Sequence, residues 1–118
     1  MVNGVANVWV PAQNVDRALD FYQNTLGFSL VKRDGLWAEI DASGLNVGIN
    51  GREPQGAGPG GGPVITFEPE GGLDSAVEDL KVRGVEFPAD VSEHDWGRVA
   101  TFKDSEGNDL QLYEPPSG

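Results

Sequence analysis

The chain has 118 residues, 38% of them apolar, enough for one core and too few for two independent domains. It carries 19 acidic against 8 basic side chains, a formal net charge of −11. Such a field repels nucleic-acid phosphates and anionic lipid, so neither nucleic acid nor a membrane is expected as a partner, and the lack of cysteine excludes disulfides, thiolate zinc sites and cysteine nucleophiles.

The opening residues, MVNGVANVWVPAQ, lack a basic stretch followed by an apolar run, and no segment holds the roughly 20 apolar residues of a membrane helix. The expected location is the cytoplasm. VANVWV reads as a strand. NVDRALDFYQNTLGF then spaces Val15, Ala18, Leu19, Tyr22 and Leu26 along one helical face. With Asn14 as N-cap and Gly27 as stop, this predicts a helix over 15–26. FSLVKR, LWAEI and LNVGIN follow as extended pieces, divided by turn signals at Asp34-Gly35 and Ser43-Gly44. Alternation along LWAEI sets Trp37 and Glu39 on one face and Leu36, Ala38 and Ile40 on the other.

GREPQGAGPGGGP, residues 51–63, holds six glycines and three prolines, a composition unable to bury enough apolar surface to order itself. It reads as a connector, with a flap over a site as the other reading. PVITFE is the next strand. GLDSAVEDLKVRGVEF repeats the helical device with Leu73, Ala76, Val77 and Leu80, predicting a helix over 73–83 that stops at Gly84. VEFPADV, GRVATFK and DLQLYEP complete the chain as extended pieces, the last two joined by DSEGN, where Asp104 starts a turn and Gly107 takes the left-handed position. The halves share one order: strand, helix, three strands. LNVGIN and LQLYEP occupy matching places, which pairs Asn46 with Gln111. The boundaries are 1–51 for the first half, 52–62 for the connector and 63–118 for the second half.

The stretches VDRALDFYQNTLGF, GLWAEI, LDSAVEDLKVRGVEF and above all WGRVATFKDSEGNDLQLYEP resemble the glyoxalase/bleomycin-resistance/dioxygenase superfamily, also called vicinal oxygen chelate proteins. The resemblance implies an α+β fold of two βαβββ modules forming a curved mixed sheet around a cup, often completed by a homodimer. It also implies four cup-facing positions, one on the first and one on the last strand of each module, where metal-dependent members hold His, Gln or Glu. Here these fall on Asn7, Asn46, Gln111 and either Ile65 or Val64. Borderline divalent metals favour imidazole and carboxylate, so this set predicts no metal and no cofactor.

Trp9 shares the strand face of Asn7 and is expected in the cup with Tyr113. Trp37 joins them or fills the cup floor, and Trp96 is expected to pack. Glu39 is the candidate carboxylate of the cup, able to attract a cation or to act as a base if burial raised its pKa; pairing with Arg33 or Arg98, or simple exposure, is the plain alternative. His94, the one imidazole, is expected exposed in a loop. The resulting expectation is a metal-independent protein binding a small organic molecule, such as an aromatic or cationic antibiotic, through Asn7, Trp9, Trp37, Glu39, Asn46, Gln111 and Tyr113. The alternatives are a glyoxalase-like metal-dependent lyase or isomerase, and a domain whose role is assembly with a partner.

Overall fold

Residues 7–52 and 64–116 are described by a computed structural model. The elements run β1 (Val8–Pro11), α1 (Val15–Asp20), β2 (Ser29–Asp34), β3 (Trp37–Asp41), β4 (Asn46–Asn50), β5 (Ile65–Phe67), α2 (Leu73–Val82), β6 (Ser92–His94), β7 (Gly97–Lys103) and β8 (Asp109–Glu114). The chain divides into two compact units, Met1–Gly58 and Pro59–Gly118. Apart from Arg52, the connector expected over 52–62 lies outside the described residues.

The first unit is a βαβββ module whose sheet has the order β1-β4-β3-β2, with β1 parallel to β4 and the other pairs antiparallel. Asn14 caps α1: its backbone is extended and its side-chain oxygen accepts from the Arg17 amide at 3.0 Å. The helix continues through Phe21–Thr25 as a π turn, Leu26 N donating to Phe21 O at 3.0 Å, and ends at Gly27 with φ 86°. α1 packs on β3 and β4. Ala18, Leu19 and Tyr22 are buried with Ala38, Ile40, Val47 and Ile49, the alternate residues of those strands.

The second unit repeats the order, β5-β8-β7-β6, with β5 parallel to β8. α2 packs on β7 and β8, burying Leu73, Val77 and Leu80 with Ala100, Phe102, Leu110 and Leu112. Glu114, at the end of β8, accepts from the Leu73 amide at 3.2 Å and so serves the open N-terminus of a helix that has no side-chain N-cap. Arg98 on β7 ties that end together, reaching Glu114 at 3.2 Å and Asp74 at 2.9 Å.

One expected strand is displaced. VEFPADV forms none; the strand is Ser92–His94. Pro88 has no N–H to give a ladder, and Val85 and Phe87 serve the core instead. Val85 is buried and its amide returns to Leu80 O at 2.9 Å, while the Phe87 ring leans on Phe102 at 5.4 Å.

Candidate functional site

With one face of each sheet given to its helix, polar and aromatic side chains collect on the other. In the first unit the register aligns Trp9 with Gly48, Gly48 with Glu39 and Glu39 with Lys32, while Asn46 faces Asp41. Asn7 immediately precedes β1, one step before Val8↔Val47, which sets it level with Asn46. The structure therefore brings five of the expected residues, Asn7, Trp9, Trp37, Glu39 and Asn46, onto one sheet face. Gln111 and Tyr113 lie on the corresponding face of the second unit.

Glu39 is the hub of the first face. It is 9% exposed, and its carboxylate accepts from Trp37 Nε1 at 2.9 Å and Asn46 Nδ2 at 3.3 Å, with Lys32 Nζ at 3.3 Å. The Trp37 hydrogen bond, with help from Lys32 and Asn46, holds the carboxyl below the ordinary glutamate range against the opposing effect of burial. The shift is thus downward, not the upward one that burial alone would give. The ion-pair partner is Lys32, not Arg33 or Arg98. Arg33 pairs with Asp16 at 2.5 Å, and Arg98 belongs to the α2 cluster. The cause is a bulge: the register slips between Leu30 and Lys32, so Val31 is skipped and Lys32 falls opposite Glu39.

Gly48 was not among the expected residues, yet it shapes this face. A Cβ built there would lie 2.7 Å from Trp37 Cζ2, nearer still to Cη2, and 3.0 Å from Trp9 Cβ. The Trp37 indole is seated on a point of the strand that only glycine leaves bare. A glycine between Val47 and Ile49, inside a strand, was the available signal.

In the second unit Gln111 faces Thr66 on β5 and Thr101 on β7, and its Nε2 donates to Thr66 Oγ1 at 3.0 Å. Tyr113 repeats the Trp37 device. Its hydroxyl donates to Trp96 O at 2.7 Å, and its ring lies over Gly97, where a Cβ would meet Tyr113 Cε1 at 2.7 Å. His94 lies on strand β6 rather than in a loop, and is exposed as expected. Trp96 is 55% exposed, so it is a surface ring rather than packing.

The register also corrects two pairings. Anchored on the buried pairs Ala38↔Ile49 and Ala100↔Leu112, the β4 counterpart of Gln111 is Gly48, and Asn46 matches Asp109. Val8↔Val47 matches Ile65↔Leu110, so Val64 is the counterpart of Asn7, and Ile65 belongs to the helix-facing set. The four positions implied by the resemblance thus hold an asparagine, a glycine, a valine and a glutamine. Among the described residues no three His, Cys, Asp or Glu side chains converge.

The model of the Glyoxalase/Bleomycin resistance protein/Dioxygenase superfamily matches residues 4–112. The chain is 28% identical to the uncharacterized protein YetH of Bacillus subtilis (strain 168), over 97% of this chain and 100% of that one. Among solved structures it is similar to TnmS3, an antibiotic binding protein from Streptomyces sp. CB03234, at 26% identity and TM-score 0.82, covering 98% of both chains. A superfamily member from Sphaerobacter thermophilus DSM 20745 is 27% identical with TM-score 0.78, covering 96% of this chain and 98% of that one. With the two βαβββ modules and a match spanning nearly all of its length, this chain belongs to the glyoxalase/bleomycin resistance protein/dioxygenase superfamily.

Proposed function

We propose that this protein is a metal-independent small-molecule-binding protein of the glyoxalase/bleomycin-resistance type, sequestering an aromatic or cationic compound such as an antibiotic. The observation that carries this reading is the Trp37 indole seated on Gly48, with its one polar atom already committed to Glu39. Such a ring offers a ligand its face alone, which selects flat apolar partners. On the same face of the first unit Asn7 and Asn46 add neutral hydrogen-bonding groups and Trp9 a further flat wall; in the second unit Gln111 and Tyr113 present the same kinds of group on its own sheet face.

The donor chemistry supports metal independence. Asparagine, glycine, valine and glutamine offer two neutral amides and no imidazole or carboxylate, and the Gln111 amide is already engaged by Thr66. The antibiotic-binding relative TnmS3 supports a small organic ligand. The same reading takes the protein as a cytoplasmic homodimer. The edge strand β2 is exposed along all six residues, Leu30 41% and Val31 50% among them, an open edge of the kind that proteins pair or cover.

Calorimetric titration with 9-aminoacridine, anthraquinone-2-sulfonate and the non-planar cyclohexylamine tests the reading. A planar compound is expected to bind with equal affinity before and after dialysis against EDTA. Trp9→Ala or Trp37→Ala should weaken binding more than Gln111→Ala, because a neutral hydrogen bond nets only about 1 kcal/mol. Loss of binding on EDTA treatment, or stoichiometric zinc or nickel in the purified protein, refutes it.

A further inference from the structure

Asparagine or aspartate precedes glycine at three places: Asn3–Gly4, which lies outside the described residues, Asp34–Gly35 and Asn50–Gly51. At such pairs the glycine amide nitrogen can attack the side-chain carbonyl carbon, since glycine has no Cβ to obstruct the approach. A neutral amide is a better electrophile than a carboxylate, so in an unfolded chain Asn–Gly reacts before Asp–Gly. The reaction requires a side chain free to turn back on the main chain and a glycine amide free of its hydrogen bond. The fold treats the two described pairs oppositely.

Asn50 lies on strand β4, paired with Pro11 on one side and Trp37 on the other, and is 5% exposed. Its Oδ1 accepts from the Arg52 amide at 2.9 Å and its carbonyl from the Ala12 amide at 3.0 Å. The attacking atom is engaged as well, Gly51 N donating to Leu36 O at 2.7 Å. Gly51 is also closely packed: a Cβ there would lie 2.6 Å from Val15 Cγ2. Cyclisation at Asn50 therefore waits for the end of the strand to open.

Asp34 closes the β2–β3 hairpin opposite Trp37, with Gly35 and Leu36 as its loop. Gly35 has φ 61°, as the first loop position of a type II′ turn requires, and a Cβ built on it would meet nothing within 4 Å. Its carbonyl accepts from Arg33 Nε at 3.2 Å, but its amide donates to none of the described residues. The Asp34 side chain is 88% exposed, and its ion pair with Arg52 Nη2, at 3.8 Å, constrains it little.

We infer that Asp34–Gly35 is a site of spontaneous isoaspartate formation in the folded protein, and that the fold shields Asn50–Gly51 from the same chemistry. Gly35 N bonds to Cγ of the protonated Asp34 carboxyl; the amide proton and the carboxyl hydroxyl leave together as water. Water then adds to the resulting succinimide. Addition at the main-chain carbonyl leaves the peptide link on the side chain, a net isomerisation without change of mass. The backbone gains a methylene in a two-residue loop, so the Asp34↔Trp37 pair that closes the hairpin is lost. The product carries an exposed isoaspartyl carboxylate, the substrate class of a carboxyl methyltransferase. The chemistry is independent of any ligand.

The test incubates the full chain at neutral pH, folded or in urea, and maps isoaspartate by methyltransferase labelling. Digestion with a glutamate-specific protease separates the two pairs by its cut after Glu39. In the folded chain label should accumulate at 34–35 while Asn50 stays intact; in urea Asn50 should react first. In Asp34→Asn both pairs carry the same leaving group, and position 34 should deamidate about tenfold or more faster than Asn50 in the folded chain. Asp34→Glu keeps the charge but would have to close a larger ring, and should lose the label. Asp34 is exposed, so both variants should fold; the comparison of folded and unfolded parent decides the matter by itself if either does not. Equal deamidation of positions 34 and 50 in folded Asp34→Asn overturns the inference. So does Asn50 reacting ahead of Asp34 in the folded parent, or a folded parent that stays unlabelled at 34–35 while the chain in urea is labelled there.

Discussion

Placing a methyl group at residue 48 should remove the aromatic plate without removing an aromatic residue. In Gly48→Ala the new Cβ would start 2.7 Å from Trp37 Cζ2, whereas carbon atoms rest at about 3.5–4.0 Å. The far edge of the indole must retreat by roughly 1 Å to restore contact distance. Trp9 Cβ, 3.0 Å away on the neighbouring strand, cannot swing aside, so Trp37 has to tilt. Tilting lengthens the 2.9 Å bond from Trp37 Nε1 to the Glu39 carboxylate, a charge-assisted hydrogen bond. Overpacking of this kind costs about 1–3 kcal/mol of stability. For a planar ligand, losing one well-placed ring contact is worth about 0.5–1.5 kcal/mol, or roughly 2- to 12-fold in Kd. Urea unfolding, near-ultraviolet circular dichroism of the indole bands and titration with 9-aminoacridine read the three effects separately. A variant with unchanged dichroism, stability within about 0.5 kcal/mol of the parent and unchanged affinity would refute the seated-ring reasoning.

Leu112→Ala, at a position 5% exposed between α2 and the sheet, should lose about 2–5 kcal/mol in urea unfolding as a core cavity. Glu39 has a lowered folded-state pKa, so its contribution is present above the ordinary glutamate value and is lost as pH falls through the folded value. Unfolding measured from pH 7 downwards should therefore fall more steeply below about pH 4.3 in the parent than in Glu39→Gln; identical profiles would count against it. Arg98→Ala should speed amide exchange in the first turn of α2, because Asp74 and Glu114 lose their common cation. Sedimentation at micromolar concentration should show a dimer; a species of 12.6 kDa alone would contradict the homodimer.

Much of the fold was legible because local rules and packing agree. Asn14 caps where an Asx side chain should, and Gly27 and Gly84 stop their helices with φ of 86° and 93°. The shared face of Trp37 and Glu39 followed from strand alternation alone. What was not legible depended on events that leave periodicity untouched. The bulge at Val31 reassigns every later partner of β2, which is why Lys32 rather than Arg33 meets Glu39. The equivalence of Gln111 with Gly48 is fixed by which strand residues α1 and α2 bury, not by similar-looking polar letters in matched stretches. Phe87 hid the failure of a strand at 85–91, since an apolar residue beside a proline reads as extended whether or not it pairs.

Trp37, its brace Glu39 and its seat Gly48 all belong to one hairpin, β3–β4. The plate is therefore a local product of the chain, closed by a short loop whose Asp41 side chain accepts from the Ser43 amide at 2.9 Å. Nothing in its assembly waits for distant segments to meet. A feature built this way is modular: substitutions on the other strands of the sheet leave its ring, brace and seat in place. It also identifies the segment 37–50 as the portion to transplant when a flat aromatic surface is wanted on another antiparallel pair.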